Sequence, residues 1–210
     1  MNIVCFGDSN THGYNPKDGS RFDRTTRWTG ILQNLLGKND YIIEEGLSGR
    51  TTVFEDPINE GLRGLDYITP CLMSHEPVDL LIIMLGTNDT KERFGASADV
   101  ISLGLNRLIK KAQSTILAFR DSKPRILVVA PLPIREEIKN VECFSTMGKG
   151  CSEKSYNLIP KYEEIAKALE CSFFDPSPYV KCSNYDYMHL SQDAHEILAY
   201  KLYEVINSIR

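Results

Sequence analysis

The sequence predicts an α/β domain in which a parallel sheet is covered by helices on both faces. Two observations carry that prediction. Short, nearly unbroken apolar runs recur along the chain, and between them lie longer stretches whose apolar residues return at every third or fourth position. A strand buried on both faces reads as a continuous apolar run, and alternation of such strands with helices joins them in parallel. A third observation concerns the ends of the strands. Polar, turn-rich segments follow them, and in open parallel sheets ligands bind beyond the carboxyl ends of the strands.

The first predicted strand is residues 2–6, followed by 41–45, 78–85, 125–130 and 172–175. Trp28–Leu36, 59–74 and 156–169 have helical spacing. In residues 98–120, Ile101, Leu105, Leu108, Ile109, Ala112 and Ile116 line one face, so a long helix is expected there. A last helix begins behind Ser191 as its N-cap and carries Ile197, Leu198, Leu202, Val205, Ile206 and Ile209 as its stripe. Residues 14–27 and 135–155 are irregular and long enough to form pocket walls, lids or subunit contacts. No repeat or low-complexity linker interrupts the pattern, so residues 1–210 read as one domain.

Charge excludes whole classes of partner. With 24 Lys+Arg against 28 Asp+Glu, the net charge of −4 draws the molecule neither to nucleic acid nor to an anionic membrane. The longest apolar run, residues 80–85, is far too short to span a bilayer, and the start MNIVCFGDSN shows no secretory pattern. Six cysteines at 5, 71, 143, 151, 171 and 182 have no CxxC spacing. Cys143 and Cys151 are close enough in sequence to bridge a loop, but free thiols in a cytoplasmic protein are the expectation.

The rim segments carry the chemistry. Gly7-Asp8-Ser9 follows the first strand, Gly46-Leu47-Ser48-Gly49 the second and Gly86-Thr87-Asn88-Asp89 the third, while Asp186-Tyr187-Met188-His189 lies beyond the fifth. Covalent ester hydrolysis needs a nucleophile, a base, a carboxylate that orients the base, and donors for the oxyanion. Ser9 opens a predicted helical turn, where its N–H has no helical partner; alone it reads equally as a turn or cap. His189 supplies an imidazole and Asp186, three residues earlier, can reach its other ring nitrogen. Gly49 offers an unobstructed N–H, and Asn88 a side-chain amide, although an isolated Asn there also reads as a cap. His12 is placed as a wall of the site rather than the base, and Trp28 as a helix-start anchor or a second wall. His75 is expected to end a helix, and His195 to lie on the exposed side of the last one. Arg21, Arg24 and Arg27 read as a solvated loop, and Glu44 and Glu45 as locally paired. Metal binding by Asp8, Asp89, Asp186, His12 and His189 is the weaker reading, since no HExxH or paired Cys/His spacing occurs, and the GxSxG elbow is absent as well.

These residues carry a resemblance. FGDSNTHG around Ser9, EEGLSGRTT around Gly49, MLGTNDTK around Asn88 and DYMHLS with Asp186 and His189 resemble, in order, the four blocks of the SGNH hydrolases, also called the GDSL esterase/lipase family. WTG at Trp28, EEGLSGRTTVFEDP and GLDYITPCLMSHEPVDLLIIMLGTND look like its bacterial arylesterase and perhydrolase/acyltransferase branch. The resemblance implies a flavodoxin-like three-layer α/β/α sandwich with a five-stranded parallel sheet. It implies Ser9 as nucleophile, His189 as base and Asp186 as its partner, with Ser9, Gly49 and Asn88 as oxyanion donors. Short acyl esters would be the substrates, with no metal or other cofactor, and a homo-oligomer is expected because some members assemble into octamers. A sugar O-acetyl esterase, an acyltransferase and an inactive binding module are the alternatives. A flavodoxin-like nucleotide binder would need a glycine-rich phosphate loop with its lysine, which is missing. Two departures stand out: His12 occupies a position where the branch often has tryptophan, and residues 135–155 differ from the insertion of the octameric acyltransferases.

Overall fold

The computed structural model describes residues 1–120 and 123–210. Five parallel strands, β1 (Asn2–Gly7), β2 (Tyr41–Gly46), β3 (Leu80–Met84), β4 (Ile126–Val129) and β5 (Ser172–Phe174), form one sheet in the order β2-β1-β3-β4-β5. The apolar runs owe their continuity to burial on both faces. Val4, Phe6, Leu81, Ile83, Ile126 and Val128 point to one core, while Ile3, Cys5, Leu80, Ile82, Leu127 and Val129 point to the other.

On the first face pack α3 (Gly64–Ser74), α4 (Ala98–Ser114) and α6 (Cys151–Ala168); on the second, α2 (Trp28–Leu36) and α7 (Gln192–Ser208). Two one-turn helices, α1 (Ser9–His12) and α5 (Phe144–Met147), complete the set. The expected α/β/α sandwich is the observed fold. Strand order reverses between β1 and β3, so the segments leaving these two strands flank the crevice where such sheets bind ligands. Register levels the rim: Gly7 at the tip of β1 pairs with Gly46 of β2 and Met84 of β3.

Several element boundaries differ from the sequence reading. The predicted 98–120 helix stops at Ser114, because Thr115 leaves helical geometry and turns its hydroxyl back onto the Lys111 carbonyl. A separate 3₁₀ turn, Ile116–Phe119, follows, and Ile116 is exposed rather than on the buried face. Residues 59–63 are loop; Leu62 accepts from the Thr51 N–H there, and the helix begins only at Gly64. α6 starts five residues earlier than its periodicity showed, directly behind Gly150. All six cysteines are free thiols.

His195 lies opposite to its expected side. It is fully buried, because positions 195, 198, 199 and 202 share one face of α7, whereas Ile197 is exposed. Its Nδ1 accepts from the Trp28 N–H at 3.3 Å, supplying the acceptor that Arg27, the N-cap of α2, does not. Burial, aided by the charges of Arg27 and His189, pushes His195 down to about 3. A histidine depressed from its unfolded value of roughly 6.5 must be neutral to fold, so stability falls as pH drops through the interval from 6.5 towards 3. His195→Asn keeps an acceptor but removes the titration. Unfolding free energies from denaturant titrations across this interval are expected to fall less steeply with acid for the variant than for the wild type, by about 1.4 kcal/mol per pH unit. Parallel curves would assign the acid sensitivity to other groups.

Candidate active site

Ser9 is placed by a strand, a glycine and a cap. β1 ends at Gly7, and Asp8 then caps α1 by accepting the Asn10 N–H at 3.0 Å, so Ser9 becomes the first residue of a short helix and its N–H has no helical acceptor. Asp8 is buried; burial raises its carboxyl, against the opposing pull of the Asn10 N–H and of the His189 charge.

His189 and Asp186 come from the loop before α7, which is folded on itself. Ser183 N–H donates to the His189 carbonyl at 2.7 Å. Asp186 Oδ1 accepts from Ser183 Oγ (3.0 Å), from Met188 N–H (3.2 Å) and from His189 N–H (3.0 Å). Its other oxygen, Oδ2, accepts from His189 Nδ1 at 2.5 Å, and His189 Nε2 lies 2.8 Å from Ser9 Oγ. Burial alone would raise the Asp186 carboxyl, but the bond and charge of His189, with the two backbone donors, outweigh it and hold it below its ordinary range. Two segments 180 residues apart in sequence thus form one hydrogen-bonded line, hydroxyl to imidazole to carboxylate.

The other two rim loops are tied to each other. Gly49 has φ +88°, a left-handed conformation that glycine adopts freely, and a Cβ there would lie 2.9 Å from Leu62 Cδ1. Asn88 opens a 3₁₀ turn after β3, and its Nδ2 is buried with no hydrogen-bond partner among the described residues. Buried donors nearly always find an acceptor, so an unmatched one at a rim marks a place for a ligand. Asp89, fully buried and pushed up to about 6 by burial against its bonds from Thr52, accepts the Thr52 N–H at 2.9 Å and the Thr52 hydroxyl. It joins the Gly49 and Asn88 segments directly.

Of the expected wall residues, His12 is half-buried one turn from Ser9; burial, then the Arg21 charge, lowers its pKa. Trp28 does not line the site. It is fully buried in the α2–α7 core, and its Nε1 donates to the Asn10 carbonyl at 3.1 Å, which leaves the anchor reading. Tyr14, which no motif marked, lays its ring 4.4 Å from that of His189. Residues 135–155 are fastened to the Asp186–His189 loop. Arg135 N–H donates to the Tyr187 carbonyl, its guanidinium covers the Tyr187 ring at 4.9 Å, and Met188 packs with Ile134, Ile138, Met147 and Cys151. These contacts hold Tyr187 at φ +61°, a conformation that side chains disfavour.

The charged residues beside the rim also rearrange. Arg27 is buried, not solvated, and pairs bidentately with Glu44 at 3.0 and 2.7 Å. Glu45 meets His75, the C-cap of α3, at 2.7 Å, so neither glutamate pairs locally. Donor atoms of Glu45, Cys71 and His75 lie within 4.8 Å of one another, while Asp8 and Asp89 are taken up by backbone donors. A cleft of about 400 Å³ lined by Leu132, Arg135, Tyr156 and Val180 contains none of Ser9, His189 and Asp186.

Comparison with known proteins identifies the family and the fold. The model of the GDSL-like lipase/acylhydrolase family matches residues 5–197. The native aryl esterase of M. smegmatis is 35% identical over all of both chains, with a TM-score of 0.92. Est24, a carbohydrate acetylesterase from Sinorhizobium meliloti, is likewise 35% identical over all of both chains, with a TM-score of 0.93. A second carbohydrate acetylesterase family member from that organism is 31% identical over 99% of this chain and 98% of its own, with a TM-score of 0.89. No curated protein matches the chain.

Proposed function

Because the chain belongs to the GDSL-like lipase/acylhydrolase family, we propose that it is a serine esterase that cleaves short acyl or aryl esters through an acyl-enzyme on Ser9. The observation that carries the reading is the line from Ser9 Oγ to His189 Nε2 (2.8 Å) and from His189 Nδ1 to Asp186 Oδ2 (2.5 Å). Ser9 O–H donates to the neutral imidazole. As Oγ bonds the ester carbonyl carbon, the proton passes to Nε2 and the carbonyl π pair moves onto oxygen. Asp186 keeps the Nδ1 proton in place and stabilises the imidazolium. His189 then returns its proton to the departing alkoxide, and water repeats the sequence on the acyl-enzyme.

The oxyanion meets the N–H groups of Ser9 and Gly49 and the Asn88 amide, whose lack of any protein acceptor supports this role. Asn88→Ala is expected to lower kcat by about 10²–10³ without altering the melting point. Turnover of p-nitrophenyl acetate checks it, and a loss of under threefold would remove Asn88 from the oxyanion site.

His12 and Tyr14 are the side chains assigned to the acyl or alcohol wall. A panel of p-nitrophenyl esters tests the substrate class: acetyl and propionyl esters are expected to give higher kcat/KM than octanoyl, and the reverse order would contradict a short-acyl site. The Sinorhizobium meliloti neighbours favour a second reading, acetyl esters of sugars. Acetate release from an acetylated sugar, compared with an aryl acetate, separates the two. An added alcohol reports acyl transfer through the yield of the new ester.

A further inference from the structure

The residue after Ser9 is Asn10, where the family's name, G-D-S-L, writes leucine. Asn10 is buried, and three of its polar groups are engaged. Its N–H donates to Asp8 Oδ1 at 3.0 Å, and its carbonyl accepts from the Trp28 indole at 3.1 Å. Its side-chain Oδ1 accepts the Leu190 N–H at 2.9 Å. Leu190 immediately follows His189, as Asn10 immediately follows Ser9. The Asn10–Leu190 bond therefore runs beside the Ser9–His189 bond, one residue on, across the same separation of 180 residues. Asn10 is itself seated against Trp28, whose N–H rests on His195.

We propose that Asn10 is a positioning residue whose carboxamide sets the spacing between nucleophile and base. The proposal rests on the reading of Ser9 as nucleophile. The Ser9–His189 contact joins two side chains with torsional freedom; the Asn10–Leu190 bond ties the backbone segments that carry them. Leucine at position 10 has similar bulk but no acceptor, so the Leu190 N–H would be buried without a partner and the loop would shift to satisfy it. A misplacement of about 1 Å is enough to cost on the order of 10²-fold in rate.

The test compares Asn10→Leu with the full-length wild type, measuring steady-state turnover of p-nitrophenyl acetate and the rate of labelling by a fluorophosphonate. Melting curves fix a temperature at which each protein is folded. Asn10→Leu is expected to lower kcat and the labelling rate together by about 10- to 100-fold, with KM changed by less than about threefold. Asn10→Asp, which keeps an oxygen facing the Leu190 N–H, is expected to recover most of both. A folded Asn10→Leu with turnover and labelling within threefold of wild type would overturn the role, and so would a folded Asn10→Asp no faster than Asn10→Leu. A wild type that turns over esters but is not labelled at Ser9 would overturn the nucleophile reading, and this one with it. Labelling of the wild type at Ser9, with no deficit in the variant, would overturn the role of Asn10 alone.

Discussion

Ser9→Ala is expected to retain no more than about 10⁻⁴ of the wild-type kcat on p-nitrophenyl acetate. Ser9 Oγ is the oxygen held at 2.8 Å from His189 Nε2. Removing it leaves no nucleophile between the imidazole and the site of the carbonyl. What survives is catalysis by the donors alone, since an oxyanion site and bound substrate still accelerate attack by water on the order of 10³–10⁴-fold over solution. The fold is expected to persist. Ser9 Oγ makes its hydrogen bond to the imidazole, while the α1 turn is held by Asp8 and by the Gly13 N–H on the Ser9 carbonyl. Circular dichroism and melting should therefore match the wild type while turnover vanishes. A Ser9→Ala protein retaining a tenth of wild-type turnover would require a different nucleophile.

Asp186→Asn is expected to cost about 10⁴ in kcat while leaving the structure intact. The two carboxylate oxygens do different things. Three donors, Ser183 Oγ and the N–H groups of Met188 and His189, converge on Oδ1. Asparagine has one oxygen, and those three donors hold it at the Oδ1 position. Its NH₂ must then face His189 Nδ1, where Asp186 now accepts. Nδ1 becomes an acceptor, the ring proton moves to Nε2, and the imidazole presents a donor to Ser9 where a base is needed. The tautomer is wrong although every atom is near its place. Kinetics beside an imidazole NMR spectrum check both halves: kcat falls, and the protonated nitrogen switches. A loss below about tenfold would show that Asp186 orients the ring without governing its tautomer.

Much of the fold was legible in the sequence because burial on both faces leaves strands uninterrupted by polar residues. Val4, Phe6 and their alternating neighbours Ile3 and Cys5 record both helical layers in a single run. The rim was legible because its residues have few substitutes: a hydroxyl, an imidazole, a carboxylate and a conformationally free glycine, each behind a strand. Where the reading failed, the deciding partner was remote. Arg27 looks like one of several loop arginines until Glu44 arrives from β2 to neutralise it. His195, a polar residue near the start of α7, reads as exposed, yet it is buried beside Leu198 and Leu202, where the distant Trp28 N–H supplies its hydrogen bond. Trp28 reads as a helix-start anchor or a pocket wall, and only packing against α7 decides for the anchor. The braces on the Asp186–His189 loop, Asn10 and Arg135, have no local signal either, since each bonds a backbone group whose position is set by the rest of the fold.

The account stands on a bond that forms between Ser9 oxygen and an acyl carbon during turnover. Acid quenching of the wild type during p-nitrophenyl acetate hydrolysis, followed by mass spectrometry of the intact chain and its peptides, observes that bond directly. The expected result is one acetyl group per chain, carried by the peptide containing Ser9, and none on Ser9→Ala. Active turnover with the acetyl group on another residue, or with none trapped even when deacylation is slowed by low pH, would contradict it.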